Sequence, residues 1–212
     1  MLMYKKYFKR FIDVVLSGIG IVVLAIPMLI VAMIIKIDSP GNVLFKQERV
    51  GKNKKSIYIL KFRSMRSDTP KNVPTHLLAD PDMYITKVGK FIRKTSIDEL
   101  PQIFCIFMGS MSIIGPRPAL FNQTDLIAER DKYGANDITP GLTGLAQIRG
   151  RDELPIDVKA RLDGEYVQRM SFWFDVKLFF GTIFSVLKSD GVVEGGTGQL
   201  EKEKEEEVMI NE

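Results

Sequence analysis

Cysteine and histidine are almost absent from this 212-residue chain, which has one of each, Cys105 and His76. A lone cysteine closes no internal disulfide, so nothing in the sequence answers to an oxidising compartment. A lone histidine builds no multi-histidine zinc site. Any nucleophile paired with an imidazole would have to recruit His76, which sits among Pro74, Thr75, Asp80 and Pro81 in a loop-like stretch. Acid, base or nucleophilic work therefore falls to carboxylates, lysine or tyrosine. The chain also lacks a Walker-type phosphate loop, a dinucleotide fingerprint, an internal repeat and a linker that would divide it into two folding units. Charge is missing altogether from residues 14–35, 22 positions in a row.

What is present is uneven. The averages, 45% hydrophobic, 26% charged and a net charge of +4, describe a bland soluble protein. Residues 194–212, however, hold seven Glu and two Lys, while residues 1–193 hold 28 basic against 19 acidic side chains, a charge of +9. This pattern predicts a membrane anchor at 1–38, a basic body at 39–193 and an acidic, disordered tail at 194–212. As a helix, the uncharged run would rise about 33 Å, enough to match a ~30 Å hydrocarbon core. It exceeds the apolar stretch of a cleavable signal peptide and is expected to be retained. Lys5, Lys6, Lys9 and Arg10 precede it; Lys36, Lys46 and Arg49 follow. Basic flanks on both sides suit neither orientation of a spanning helix, since the positive-inside rule wants one basic side. Pro27, near the centre, removes the hydrogen bond to the Val23 carbonyl and predicts a bend. Two topologies follow: a re-entrant hairpin that dips into one leaflet, favoured by the flanks, and a proline-kinked spanning helix.

Beyond the anchor, residues 43–49 and 56–62 read as a β-hairpin around Gly51-Lys52-Asn53-Lys54. Residues 67–83 read as loop, and helical patterns cover 84–94, 99–108, 119–133, 156–170 and 172–187. Pro/Gly-rich interruptions fall at 113–118 and 139–150. The expected class is α+β, mainly helical. The last helix carries Phe172, Trp173, Phe174, Phe179, Phe180 and Phe184. Such a surface serves either as core or as an amphipathic helix lying at the membrane interface.

The sharpest local feature is Thr95-Ser96-Ile97-Asp98-Glu99-Leu100-Pro101. One explanation is structural, since Ser96-x-x-Glu99 matches a helix capping box. Pro101 opposes it, falling too deep in a helix capped at Ser96. A helix begun at Asp98 tolerates the proline and puts that carboxylate at its mouth, where it could ligate a divalent cation or attack phosphorus. Cations stand in stiff contexts nearby: Lys61-Phe62-Arg63, Arg93-Lys94, Arg117 between Pro116 and Pro118, and Arg149-Gly150-Arg151. Each is either a solvated surface charge or a phosphate ligand, and Arg117, fixed between two prolines, is the best suited to a bidentate grip. The residues alone describe a membrane protein facing the cytoplasm, with a carboxylate pair, several cations and a metal, suited to a charged phosphate substrate.

Six ordered motifs between Tyr4 and Val192 carry a resemblance: Lys9-Arg10-x-x-Asp13, Gln47-x-Arg49-x-Gly51, Lys61-Phe62-Arg63-Ser64-Met65, Ser96-Ile97-Asp98-Glu99-Leu100-Pro101-Gln102, Gly115-Pro116-Arg117-Pro118, and Pro140-Gly141-Leu142-Thr143-Gly144 with Gln147. In these the chain resembles the bacterial polyprenyl-phosphate phosphoglycosyltransferases, the monotopic sugar-transferase family that initiates capsule, exopolysaccharide and glycan assembly. The resemblance implies a bacterial cell-membrane enzyme with its catalytic body on the cytoplasmic face. Asp98 would be the nucleophile toward the β-phosphate of a UDP-sugar, expelling UMP and holding a phosphosugar that polyprenyl phosphate then takes. It implies Glu99 as the second carboxylate, and Mg²⁺, held at Asp98, neutralising the diphosphate. Arg93 and Arg117 would stabilise the transferred phosphoryl group, with Lys61, Arg63, Gln147, Arg149 and Arg151 as further substrate contacts. The chain departs from the family pattern at Ile26-Pro27, where Ser-Pro is common, and at Ala146-Gln147-Ile148 and Gly150-Arg151-Asp152 after the Pro-Gly turn. Other uses of the same residues are a nucleotide-sugar hydrolase or phosphatase, and a non-catalytic scaffold on anionic lipid. Expected partners are a UDP-sugar donor, a polyprenyl phosphate acceptor and membrane lipids, with no nucleic acid; no pattern selects a sugar or an oligomeric state.

Overall fold

The computed structural model describes residues 3–66, 69, 83–150 and 154–188; His76, Arg151 and the acidic segment 194–212 lie outside them. Helix α1 (Lys9–Asp38) leads into a hairpin of β1 (Leu44–Val50) and β2 (Ser56–Phe62). Then come α2 (Lys87–Lys94), α3 (Gln102–Met108), β3 (Ser112–Ile114), α4 (Thr124–Asp131), β4 (Gly141–Thr143), α5 (Leu145–Arg149), α6 (Ile156–Arg169) and α7 (Phe172–Lys188). The class is α+β and mainly helical, as expected.

Helix α1 is 30 residues long with Pro27 inside it, about 45 Å if straight. Helical pairing runs on both sides of the proline, and the segment is assigned as one helix. One stripe of α1 faces the body. Asp13, Ser17, Met28 and Ile35 are buried, and Leu24, Val31 and Ala32 pack with Met28 and Ile35 against Phe62 and Ile92. This spacing of three and four residues is the signature of one helix face laid along a neighbour. The opposite face has no protein over it: Val22, Ile26 and Ile37 are 76%, 71% and 86% exposed. An apolar face that long calls for lipid, and α1 is long and apolar enough to cross a membrane.

Polar side chains tie both ends of α1 to the same body. Near its start, Arg10 donates to the carbonyls of Ile106 (2.6 Å) and Phe107 (2.7 Å), in the last turn of α3. The Ile106 carbonyl also accepts from the Gly109 amide at 3.0 Å, so the guanidinium adds a second donor at the C-terminal end of α3. Asp13 accepts from the Ser112 hydroxyl (2.8 Å) and the Ile113 amide (3.0 Å), and Lys9 reaches Asp175 of α7 at 2.6 Å. At the far end Arg63 performs the reciprocal service, donating to the carbonyls of Ser39 and Pro40 just beyond α1, each at 2.7 Å. Arg63 was expected on the substrate; its guanidinium is instead buried in this clamp.

The hairpin pairs Leu44 with Phe62 through Val50 with Ser56, and its turn holds Asn53 and Lys54 at positive φ. A second sheet has no counterpart in the sequence pattern: β3 and β4 run parallel, Ser112 beside Gly141 and Ile114 beside Thr143. Both strands lie at the edges of the Pro/Gly-rich interruptions, where three-residue strands leave no periodicity to read. The glycines matter, because a Cβ on Gly141 would come within 2.1 Å of the Gly115 nitrogen.

The aromatics of α7 divide between a core face and an exposed face. Phe174 and Leu178 enter a core with Tyr166, Met170 and Ile114, while Trp173 and Phe184 remain 77% and 67% exposed on another face. Replacing Asp13 by Ala strands the buried Ser112 hydroxyl and the Ile113 amide. It is expected to cost about 1–3 kcal/mol, read as a lower thermal midpoint of the detergent-solubilised protein.

Candidate active site

The carboxylate pair sits in a one-turn 3₁₀ segment, Ile97–Glu99, between α2 and α3. Two local devices create it. Helix α2 ends at Lys94, and Ser96 takes φ 56°, a left-handed conformation uncommon for a side-chain-bearing residue, which turns the chain sharply. Pro101, which has no N–H, then occupies the N-cap position of α3. Asp98 therefore precedes α3 by four residues and is not at its mouth, which corrects the expected helix start. Nor does the capping box form: the Ser96 side chain makes no cap bond, and Glu99 turns elsewhere. The side-chain cap in this region belongs to Thr86, which accepts from the Gly89 amide of α2 at 2.9 Å.

Glu99 turns toward two cations. Lys61, near the end of β2, donates to Oε1 at 2.8 Å, while Arg117 donates to Oε1 at 2.6 Å and to Oε2 at 3.3 Å, a bidentate grip. Burial alone would raise this carboxyl, but Arg117 and Lys61 overcome it and hold Glu99 well below the ordinary carboxylate range. Asp98, one residue away and 7% exposed, moves the other way. Burial pushes its carboxyl above the ordinary 3.8, Lys61 opposes, Glu99 adds to the rise, and Arg93 and Arg117 oppose more weakly. Two neighbouring carboxylates are thus driven apart, one fixed as a spectator anion and one more basic than usual, a division seen where acidic groups take different roles.

Arg117 is rigid because of its surroundings as well as its prolines. Three successive carbonyls of Pro116-Arg117-Pro118 are held by three separate elements. The Gly141 amide donates to Pro116 (2.9 Å), Arg130 to Arg117 (3.0 Å) and Arg49 to Pro118 (3.1 Å). Arg130 is itself locked to Asp163 of α6 by bonds of 2.8 and 2.6 Å, with both side chains almost fully buried. Neither residue was singled out from the sequence, where Glu129-Arg130-Asp131 looks like a solvated helix face.

The structure thus assembles Asp98, Glu99, Lys61, Arg93 and Arg117. Arg63 lies in the anchor clamp. Gln147 and Arg149 ride on α5, a helix inside a stretch expected to be loop. Arg149 is exposed, and Gln147 points its amide nitrogen at the Leu142 carbonyl at 3.4 Å. The buried Oε1 of Gln147 has no donor among the described residues. No group of three His, Cys, Asp or Glu side chains able to hold a metal occurs among them either.

Residues 4–189 match the family described as bacterial sugar transferase. The chain is 39% identical over 191 residues to an exopolysaccharide production protein of Rhizobium leguminosarum, covering 84% of this chain and 94% of that one. It is 36% identical over 189 residues to the UDP-glucose:undecaprenyl-phosphate glucose-1-phosphate transferase of Escherichia coli, covering 83% of this chain and 39% of that one. To the UDP-N-acetylgalactosamine-undecaprenyl-phosphate N-acetylgalactosaminephosphotransferase of Aeromonas hydrophila it is 37% identical over 193 residues, covering 87% and 45%. The chain therefore spans less than half the length of the latter two. Carbon-detected carboxyl titration by NMR should place Asp98 above the ordinary carboxylate range and Glu99 below it. Because Lys61 lowers both, Lys61→Met should move both upward.

Proposed function

The chain belongs to the bacterial sugar transferase family, and we propose that it moves a sugar-1-phosphate from a UDP-sugar to polyprenyl (undecaprenyl) phosphate, releasing UMP, through a phosphosugar held on Asp98. The observation that carries this proposal is the split between adjacent carboxylates: Glu99 neutralised by Lys61 and Arg117, Asp98 left as the more basic one among cations. The printed names of the Escherichia coli and Aeromonas relatives give undecaprenyl phosphate as acceptor and a UDP-sugar as donor, and support the same substrate classes here.

In the first step an Asp98 oxygen bonds to the β-phosphorus, the bond from that phosphorus to the oxygen bridging the two phosphates breaks, and UMP leaves with the electron pair. In the second, an oxygen of the lipid phosphate bonds to the same phosphorus and Asp98 leaves as carboxylate. Little covalent work remains for other groups, so positioning and charge stabilisation dominate. Arg117, rigid at three carbonyls, and Lys61 shift their donors between Glu99 and phosphoryl oxygens with little reorganisation. Arg93 adds positive potential.

A magnesium ion fits this site through Asp98. Mg²⁺ commonly takes one or two carboxylates and completes its shell with substrate phosphates and water, so a lone protein carboxylate suffices. When bound it would neutralise charge on the diphosphate.

For the anchor, docking of both ends of α1 on one body, with basic residues on both flanks, supports a monotopic helix that enters one leaflet and keeps the body on the cytoplasmic face. Cysteines placed before residue 9 and after residue 38 should then be labelled from the same side; labels on opposite faces would refute it.

The activity test supplies a panel of UDP-sugars and Mg²⁺, with and without polyprenyl phosphate. Lipid-dependent formation of a diphosphate-linked sugar is expected. Donor consumption indifferent to lipid would indicate a hydrolase, and lipid binding without turnover a scaffold. Asp98→Asn should lower both UMP release and transfer by roughly 10³-fold or more.

A further inference from the structure

Between α1 and α2 lies a groove of about 300 Å³, lined by Val31 and Ile34 of α1, by Val88, Phe91 and Ile92 of α2, and by Ile97. Lys87 brings the one charge. The volume is at the low end for small-molecule sites, so it suits part of a ligand and not a whole one.

The two walls differ in what they adjoin. Val31 and Ile34 belong to the uncharged run of α1, whose outer face asks for lipid, so this end opens toward the bilayer. At the other end Ile97 is joined directly to Asp98, and Ile92 directly to Arg93. In the apolar cluster that forms the wall, Phe62 is joined to Lys61. Three members of the polar site are therefore one peptide bond from three members of the apolar wall. The backbone at β2, α2 and the 3₁₀ turn sends one side chain of each pair into the wall and the other toward the charged cluster. A groove whose one charge is Lys87 thus ends beside the cations Lys61, Arg93 and Arg117.

The ligand that matches both ends is an amphiphile with one long apolar chain and a terminal phosphate. We infer that this groove seats the first isoprenoid units of the acceptor lipid, so that the chain leaves along Val31 and Ile34 into the bilayer and its phosphate turns over Ile97 toward Asp98. The inference rests on the proposed acceptor and adds where the protein holds it and which residues choose its chain. A phospholipid acyl chain would fit the walls, but its phosphate is an internal diester that cannot take up the phosphosugar. The terminal phosphate, which can both meet the cations and accept the phosphosugar, therefore selects the single-chain phosphate. Phe91 is 61% exposed and can be altered without opening the core.

Two measurements test it in the full chain, in nanodiscs. A polyprenyl phosphate carrying a diazirine on its second isoprene unit should label α2 or the 31–34 segment on irradiation. Labelling should be competed by unlabelled polyprenyl phosphate and not by excess phosphatidylglycerol; labelling elsewhere, or competition by the phospholipid, would overturn the assignment. This measurement does not require turnover, so it stands even if the proposed transfer reaction fails. In the second, Val31→Phe fills the groove and Phe91→Ala widens it. UMP formed without lipid counts working sites and normalises the rates. Val31→Phe should raise KM for a long-chain polyprenyl phosphate about ten-fold and affect a two-isoprene phosphate much less, and Phe91→Ala should weaken the chain-length preference. An unchanged KM for the long-chain acceptor in both variants would sink the inference.

Discussion

The structure depends on one constraint: a 30-residue, mostly apolar helix with one bare face must be held against a basic body by one apolar stripe and by the few polar groups near its ends. Arg10 caps α3, Asp13 caps the start of β3, Lys9 reaches α7, and Arg63 closes over the carbonyls that follow α1. These bonds engage backbone carbonyls, a backbone amide and buried polar side chains, where losing a partner costs more than a surface contact gains. Fixing α1 fixes where lipid can be. The bare face of α1, the exposed aromatics of α7 and the open end of the groove between α1 and α2 all acquire meaning from it.

The chemistry hangs on the same frame. β2 ends in Lys61-Phe62 and Arg63 follows directly, and these three successive residues serve the site, the core and the anchor clamp in turn. Strand alternation separates Lys61 from Phe62, and Arg63, one residue past the strand end, reaches the carbonyls that follow α1. Arg63 can hold the membrane helix while Lys61 holds Glu99, so the anchor and the carboxylate pair are connected by a single extended residue. On the far side, Arg117 is immobilised through carbonyls because its flanking prolines supply no N–H groups. The buried Arg130 and Asp163 carry that immobilisation back into α4 and α6.

Much of this was legible in the sequence, and the failures are specific. The uncharged run, the hairpin around Gly51-Lys52-Asn53-Lys54, helices α6 and α7, and the adjacency of Asp98 and Glu99 follow from local pattern. Hydrophobic period, turn residues and stiff Pro-flanked contexts act over a few positions. The capping box at Ser96-x-x-Glu99 was a local pattern too, and it lost: two cations from distant segments bind Glu99 more strongly than a helix end could. Arg63 read as a phosphate ligand because its motif is shared with Lys61, and only the fold separates their duties. The β3–β4 pair escaped notice because each strand has three residues and its partner is almost thirty positions away.

By itself the sequence determined the elements that local physics controls: a membrane-length helix, a basic body, a hairpin, and a carboxylate pair set among arginines and lysines with a single cysteine and a single histidine to compete. Which carboxylate stays neutralised, which cation grips it, and which apolar wall lies beside Asp98 were decided by tertiary structure alone. Those outcomes depend on burial and on distances between residues 18 to 171 positions apart, such as Arg117 with Glu99 and Tyr4 with Asp175. Desolvation and Coulomb interactions act through space and have no representation in local spacing.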